Sequence, residues 1–405
     1  MSDGRKSRRL RALAVLAGTA LAAATLPGCS EDPTEANALV ASLPLADVIV
    51  KDTTIVATGG TTFKQFIPLD GSLNLVGKSG NYSAYTALTF YPSLFPARDT
   101  AQVYSATMTL HCATWFGDST GRLAFNVYRI TRGWTQSNVT WDTVQAGFFD
   151  QTIARTADGQ PFSSGAGPDT QTVTISLDTA MVRQWLATET STTDTKFGIV
   201  LVPAAGSTII RGFTAFDYDS VSFQPHLTII AGSPTGPSRD TAVYYQGIDT
   251  FVGNIDNLNT NPQLMYVQAG VDYRSSINFN VGFIPRGAII NSADLLLQKD
   301  PATTRVTKFT TDTAFAAQTI ASASDPTILD GVAATGRRKD GTSLTFSASL
   351  RRSVQLWAHG ENYGVAIRPS GLAEYNTFDL LTFYNYQAAN AALRPKLKII
   401  YSIAR

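Results

Sequence analysis

An all-β protein is what the sequence predicts, and three observations predict it. Short β-branched and aromatic runs recur from Val48 onward, bounded by Gly, Asn, Asp or Pro. Charged residues make up only 16% of the chain against 44% hydrophobic, so its polar bulk comes from Thr, Ser, Asn and Gln, which suit a pleated surface. Helical spacing occurs in two places only. The expected architecture is two tandem jelly-roll-like β-sandwich domains, each with one short helix.

The clearest strands are Leu123–Tyr128, Thr172–Leu177, Phe197–Val202 and Leu397–Tyr401. One helix is expected over Thr179–Thr190, with Val182, Trp185 and Leu186 on one face. The other spans Leu350–His359, where Leu350, Val354 and Trp357 recur at i, i+4 and i+7 and Gly360 serves as a C-terminal cap.

The stretch Gly232-Ser-Pro-Thr-Gly-Pro-Ser238 reads as a short linker by composition. On either side the halves repeat. Val182-Arg-Gln-Trp185 answers Val354-Gln-Leu-Trp357, Phe197-Gly198 answers Tyr363-Gly364, and Gln224-Pro225 answers Arg394-Pro395. The offsets are 357 − 185 = 172, 364 − 198 = 166 and 395 − 225 = 170. Upstream, Ser105-Ala-Thr-Met-Thr-Leu110 answers Ser292-Ala-Asp-Leu-Leu-Leu297, an offset of 187. This is an internal duplication with loops of unequal length. It places a first domain at 48–231, a linker at 232–238 and a second, divergent domain at 239–405.

The N-terminus carries Arg5, Lys6, Arg8, Arg9 and Arg11, followed by the apolar stretch Ala12–Leu26 and then Leu26-Pro-Gly-Cys29. A charged start and an apolar core of about 15 residues fit a signal peptide and are short for a membrane span. The Leu-Pro-Gly-Cys end resembles a bacterial lipobox. That resemblance implies cleavage after Gly28 and diacylglycerol on Cys29, giving a signal peptide at 1–28 and a lipidated, flexible tether at 29–47. Two or more acyl chains give a stable anchor at roughly 0.8 kcal/mol per buried CH₂. The Arg8-Arg9 pair hints at twin-arginine export, but Arg11 stands where hydrophobic residues are expected, which favours the general secretory route. Ser30 after the cysteine points to the outer membrane or cell surface of a bacterium.

The block Val127-Tyr-Arg-Ile-Thr-Arg-Gly-Trp134-Thr-Gln-Ser-Asn-Val-Thr-Trp141, with the Pro-led and Ser-Ala-led strands above, resembles the DNRLRE family. These are extracellular β-sandwich domains related to some carbohydrate-binding modules. The second half keeps both ends of the pattern but has Lys308–Ile328 where the block would be. The resemblance implies a fold and an extracellular setting without implying an enzyme.

Chemistry is sparse. The formal net charge is +1, so no basic face for nucleic acid is implied. With Cys29 consumed by lipid, Cys112 is expected as a small buried side chain and no disulfide forms in the mature chain. The three histidines, His111, His226 and His359, lack metal-ligand spacing, and no nucleophile elbow or phosphate loop occurs. Asp217-Tyr218-Asp219 is the closest carboxylate cluster. It is a weak candidate for calcium, on a strand or a turn, and no other cofactor is expected. Aromatic faces are the best binding material, because sugar rings stack on them. The ligand-binding candidates are Trp115, Phe116, Trp134, Trp141 and Tyr218, with Trp185 and Trp357 assigned to the core.

The leading expectation is a non-catalytic surface lipoprotein that binds a glycan, an envelope polymer or a partner protein. The alternatives are a structural or assembly component, or a polysaccharide-active enzyme. A Cys29→Ser chain is expected in the soluble fraction with its domains folded. Retention in the membrane fraction on cell fractionation would refute the anchor.

Overall fold

A computed structural model describes residues 48–90, 101–164, 171–187, 198–256, 261–271, 273–306 and 314–404. Cys29 and the expected tether lie outside the described residues. Lys51–Tyr401 form one compact unit.

The described chain is all-β with a few short helices. It starts with β1 (Val48–Val56) and β2 (Gly59–Lys64). The first half continues with β3 (Leu73–Ser79), β4 (Tyr82–Phe90), β5 (Gln102–Gly117) and β6 (Leu123–Ile130). Helix α1 (Trp141–Gln145), β7 (Phe149–Asp150), β8 (Phe162–Ser164) and β9 (Thr172–Ser176) follow. It closes with α2 (Thr179–Ala187), β10 (Ile199–Pro203), β11 (Ile209–Thr214) and β12 (His226–Gly232). The second half contains β13 (Arg239–Ile255), β14 (Leu264–Gln268), β15 (Tyr273–Asn278), β16 (Ile289–Gln298), β17 (Phe315–Ile320) and β18 (Leu329–Arg338). Then come β19 (Thr345–Ser349), α3 (Arg351–His359), β20 (Val365–Pro369), α4 (Leu372–Asn376), β21 (Leu380–Tyr384) and β22 (Lys396–Ala404). The expected helices are α2 and α3, and each half adds a five-residue turn, α1 or α4.

Two curled antiparallel sheets of eleven strands each make a sandwich-like fold. Alternation in the sequence sets the faces. On β5 the burial runs buried and half-buried in strict turn from Val103 to Phe116 outside the Tyr104–Ser105 pair, which is the period of a strand with one face on a core. The duplication is visible in the pairing. β3–β4–β10–β6 in one sheet matches β14–β15–β20–β17 in the other, and β9–β5–β12 matches β19–β16–β22.

Sheet membership does not follow the expected division at 232–238. Residues Ser233–Ser238 are the turn of a hairpin, with β12 and β13 in register from His226↔Tyr245 to Gly232↔Arg239. Gly, Pro and Ser suit a hairpin turn as well as a linker, and composition does not distinguish them. β13 then runs on to pair with β4, from Asp249↔Leu88 to Ile255↔Tyr82. It therefore completes the sheet of the first half. In the same way β1 pairs with β22, and β2 pairs with β15 from Tyr273↔Lys64 to Asn278↔Gly59. The two repeats thus exchange their leading strands.

Polar contacts pin each exchanged segment. The carboxylate of Asp249 on β13 accepts hydrogen bonds from Asn74 Nδ2 and from the Phe216 backbone, the latter at 3.1 Å. After β2, Gln65 Oε1 accepts from Arg274 at 2.7 Å. Arg274 also bonds Glu374 at 2.6 Å, and the other Glu374 oxygen takes Arg368 at 2.7 Å.

A core shared by both repeats holds the halves together. Tyr82, Phe116, Phe251 and Phe378 pack with Leu69, Leu75 and Val271, and Phe378 lies 5.9 Å from both Phe116 and Phe251. Gly253 is required by this close approach, since a Cβ there would meet Gly270 O at 2.3 Å and the Phe378 ring at 2.5 Å. Gly270 itself has φ +70°, a left-handed conformation that glycine takes without strain.

Two outcomes are expected. Glu374→Ala leaves two arginines facing each other, Arg274 nearly buried, so urea denaturation should show a loss of about 3–5 kcal/mol. Burial pushes the Tyr82 phenol up to about 12, opposed by a smaller pull from Arg305. The unfolded chain releases that proton near the ordinary 10.0. Between these values it binds fewer protons than the folded chain, so stability falls as pH rises. The fall should approach about 2–3 kcal/mol by pH 12, and Tyr82→Phe should remove that part of the slope.

Candidate functional site

Where the chain crosses from β2 to β3, it forms one wall of a cleft. Lys64, Phe66, Ile67 and Leu69 come from this crossing, Thr140, Trp141 and Asp142 from the start of α1, and Phe251–Gly253 with Gly270 line the remainder. The cavity is about 250 Å³, just below the range of drug-sized sites, so it suits one small ring or side chain. Leu69 and Phe251 are buried, while Phe66 stands 42% exposed at the mouth.

Local sequence fixes the Trp141 wall. Thr140 Oγ1 accepts from the Thr143 backbone at 3.1 Å, and Thr143 Oγ1 accepts from the Thr140 backbone at 2.7 Å. This reciprocal cap sets the first turn of α1. Trp141 packs on Tyr85 with ring centroids 4.8 Å apart and tilted by 59°, and it keeps part of its surface open. Lys64 and Asp142 are exposed and bring one charge of each sign to the lining. The cleft therefore offers apolar surface with polar groups at its edge and no net charge, which favours a neutral amphipathic ligand over an ion.

The other aromatic candidates are placed differently. Trp134 is only 3% exposed and packs edge-on to Phe148 at 6.2 Å, inside the cluster that holds the 131–149 loop to the sheet. Phe116 is buried in the shared core, 4.9 Å from Tyr82. Neither has a face to offer a ligand, which corrects both expectations. Trp115 is half-buried against the core of the first half. Trp185 and Trp357 are each 4% exposed, as core residues.

Tyr218 belongs to a separate surface strip. It stands 6.4 Å from Phe223, which meets His111 at 5.5 Å, and His111 lies 6.2 Å from His226. Successive rings along Tyr218, Phe223 and His111 are turned by 86°, so they make no flat platform. Burial lowers the His111 pKa, and the neighbouring His226 lowers it further. Asp217 and Asp219 are exposed at a turn. Among the described residues, no group of three or more His, Cys, Asp or Glu could hold a metal ion. Cys112 is buried, with Sγ 3.4 Å from Thr114 O.

Sequence reasoning picked out Trp141 but missed Phe66, Lys64, Phe251 and Gly253. These residues meet only because β2 and β13 change halves, and no spacing signals that. No family model matches the chain, and no curated protein matches it.

The site geometry has a direct chemical check. N-bromosuccinimide should oxidise Trp141 and Trp115 before Trp134, Trp185 and Trp357, read as peptide mass gains. Early oxidation of Trp134 would contradict its burial.

Proposed function

We propose that this chain is a lipid-anchored, non-catalytic protein of the bacterial surface that binds a neutral glycan through the Trp141 cleft. One observation carries the reading. A partly open indole, held by a capped turn and packed on Tyr85, lines a cleft together with Phe66, Leu69 and Phe251 and with the polar Lys64, Thr140 and Asp142. Such a surface stacks on the C–H face of a sugar ring, and its edge can orient hydroxyls. The resemblance of the Val127–Trp141 block to DNRLRE domains points the same way, and the lipobox supports attachment through Cys29. Among the described residues lining the cleft, Asp142 is the one carboxylate, whereas glycoside hydrolysis ordinarily uses a pair.

A second reading, a rigid spacer at the envelope, draws on the shared core and the exchanged strands. A glycan array separates the two. The chain should retain at least one neutral polysaccharide, and Trp141→Ala should weaken that binding about five- to thirtyfold, as loss of a stacking contact of about 1–2 kcal/mol would. Absence of binding to any polysaccharide at high micromolar concentration favours the spacer.

A further inference from the structure

We propose that the β1–β2 segment is a detachable plug, and that a second copy of this chain can receive it, giving a dimer closed by reciprocal strand exchange. The inference starts from an asymmetry between the two exchanged segments. β13 is tied covalently to the strand it borders, because six residues, Ser233–Ser238, join it to β12. β1 and β2 have no such tie to the sheet they complete. They reach it from the first half through the crossing Gln65–Ser72, and non-covalent contacts hold them there.

Those contacts are also shallower. No residue of β2 is fully buried, and every residue of β1 is exposed or half-buried. By contrast Phe251, Val252, Gly253 and Ile255 of β13 are all buried. The plug is held mainly by its ladder to β15, by polar contacts such as Thr62 Oγ1 to Ser275 Oγ at 3.0 Å, and by the exposed ion pair of Asp52 with Lys398 at 3.5 Å. Removing it exposes few apolar groups, which makes it the weaker of the two exchanges. Its departure leaves the edges of β22 and β15 open, and an open edge is a template for a strand. The strand that fits that edge in register is β1–β2 of another copy.

Geometry permits the transfer. The eight residues of the crossing can span up to about 26–29 Å when extended. Each chain carries one plug and one slot, so mutual donation by two chains closes without free edges. Within one chain the short crossing gives the plug an effective concentration on the order of millimolar. The closed monomer therefore dominates in dilute solution, and the dimer gains where copies are crowded.

The native Asp52–Lys398 pair supplies the test. Chains labelled with light and heavy nitrogen are mixed, unfolded in denaturant, refolded together at low and high concentration, and treated with a carbodiimide that links carboxylates to amines in contact. Exchange predicts a dimer by light scattering and Asp52–Lys398 cross-linked peptides with one light and one heavy arm. These should rise with concentration toward about half of all such cross-links by mass action. A dimer whose Asp52–Lys398 cross-links are all of single isotope pairs through another surface and overturns the proposal. So does a species that stays monomeric after joint refolding at high concentration, whether or not the cross-link forms.

Discussion

The packing of this protein depends on the reciprocal exchange of leading strands. β13 belongs to the second repeat by sequence and closes the sheet of the first, while β1 and β2 do the converse. Backbone hydrogen bonding leaves neither sheet complete with its own residues alone. The shared core follows from the crossings. Once β13 runs into the sheet of the first half, Phe251 and Gly253 pack there against Gly270 and Phe378 of their own repeat, beside Tyr82 and Phe116 of the other. The buried Asp249 and the Arg274–Glu374–Arg368 group lie where each exchanged segment meets its host. A buried ionic group adds little net stability over apolar packing, and specifying register is its better-attested role.

The cleft is a product of the same crossing. Its walls belong to segments distant in sequence: the run after β2, the turn of α1, the middle of β13 and the hairpin at Gly270. Each is held by a different device. The capped turn orients Trp141, the shared core fixes Phe251, and Leu69 O accepts a hydrogen bond from Thr250 Oγ1 at 3.0 Å to hold the crossing.

Much of the fold was legible in the sequence, and the limits have physical causes. Alternation located β6, β9 and β22, and 3.6-residue spacing located the helices bearing Trp185 and Trp357. Alternation states which face of a strand is buried and says nothing about which strand lies beside it. The partners of β1, β2 and β13 were therefore invisible, and the turn at Ser233–Ser238 read as a linker. Phe116 was misread for a related reason. Beside Tyr82 of its own repeat, Phe116 is covered by Phe378 of the other, and nothing local in the sequence signals that second neighbour. Trp141 stood out in the sequence as a candidate, while Phe66 and Lys64, which line the same cleft, carry no local signature.

Gly253 has a consequence for the history of the gene. Its lack of a side chain is demanded by Gly270 O and Phe378 of its own repeat, after β13 has travelled through the sheet of the other. A duplicated module of this kind cannot be shuffled, because neither copy can be lifted out with a finished edge or a complete interior. Phe116 and Tyr82 share one core with Phe378, some 260 to 300 positions away in the chain, so a change of volume at one is felt by the others. The outer surfaces and loops of the two repeats carry no such coupling, whereas their seam packs as a single unit.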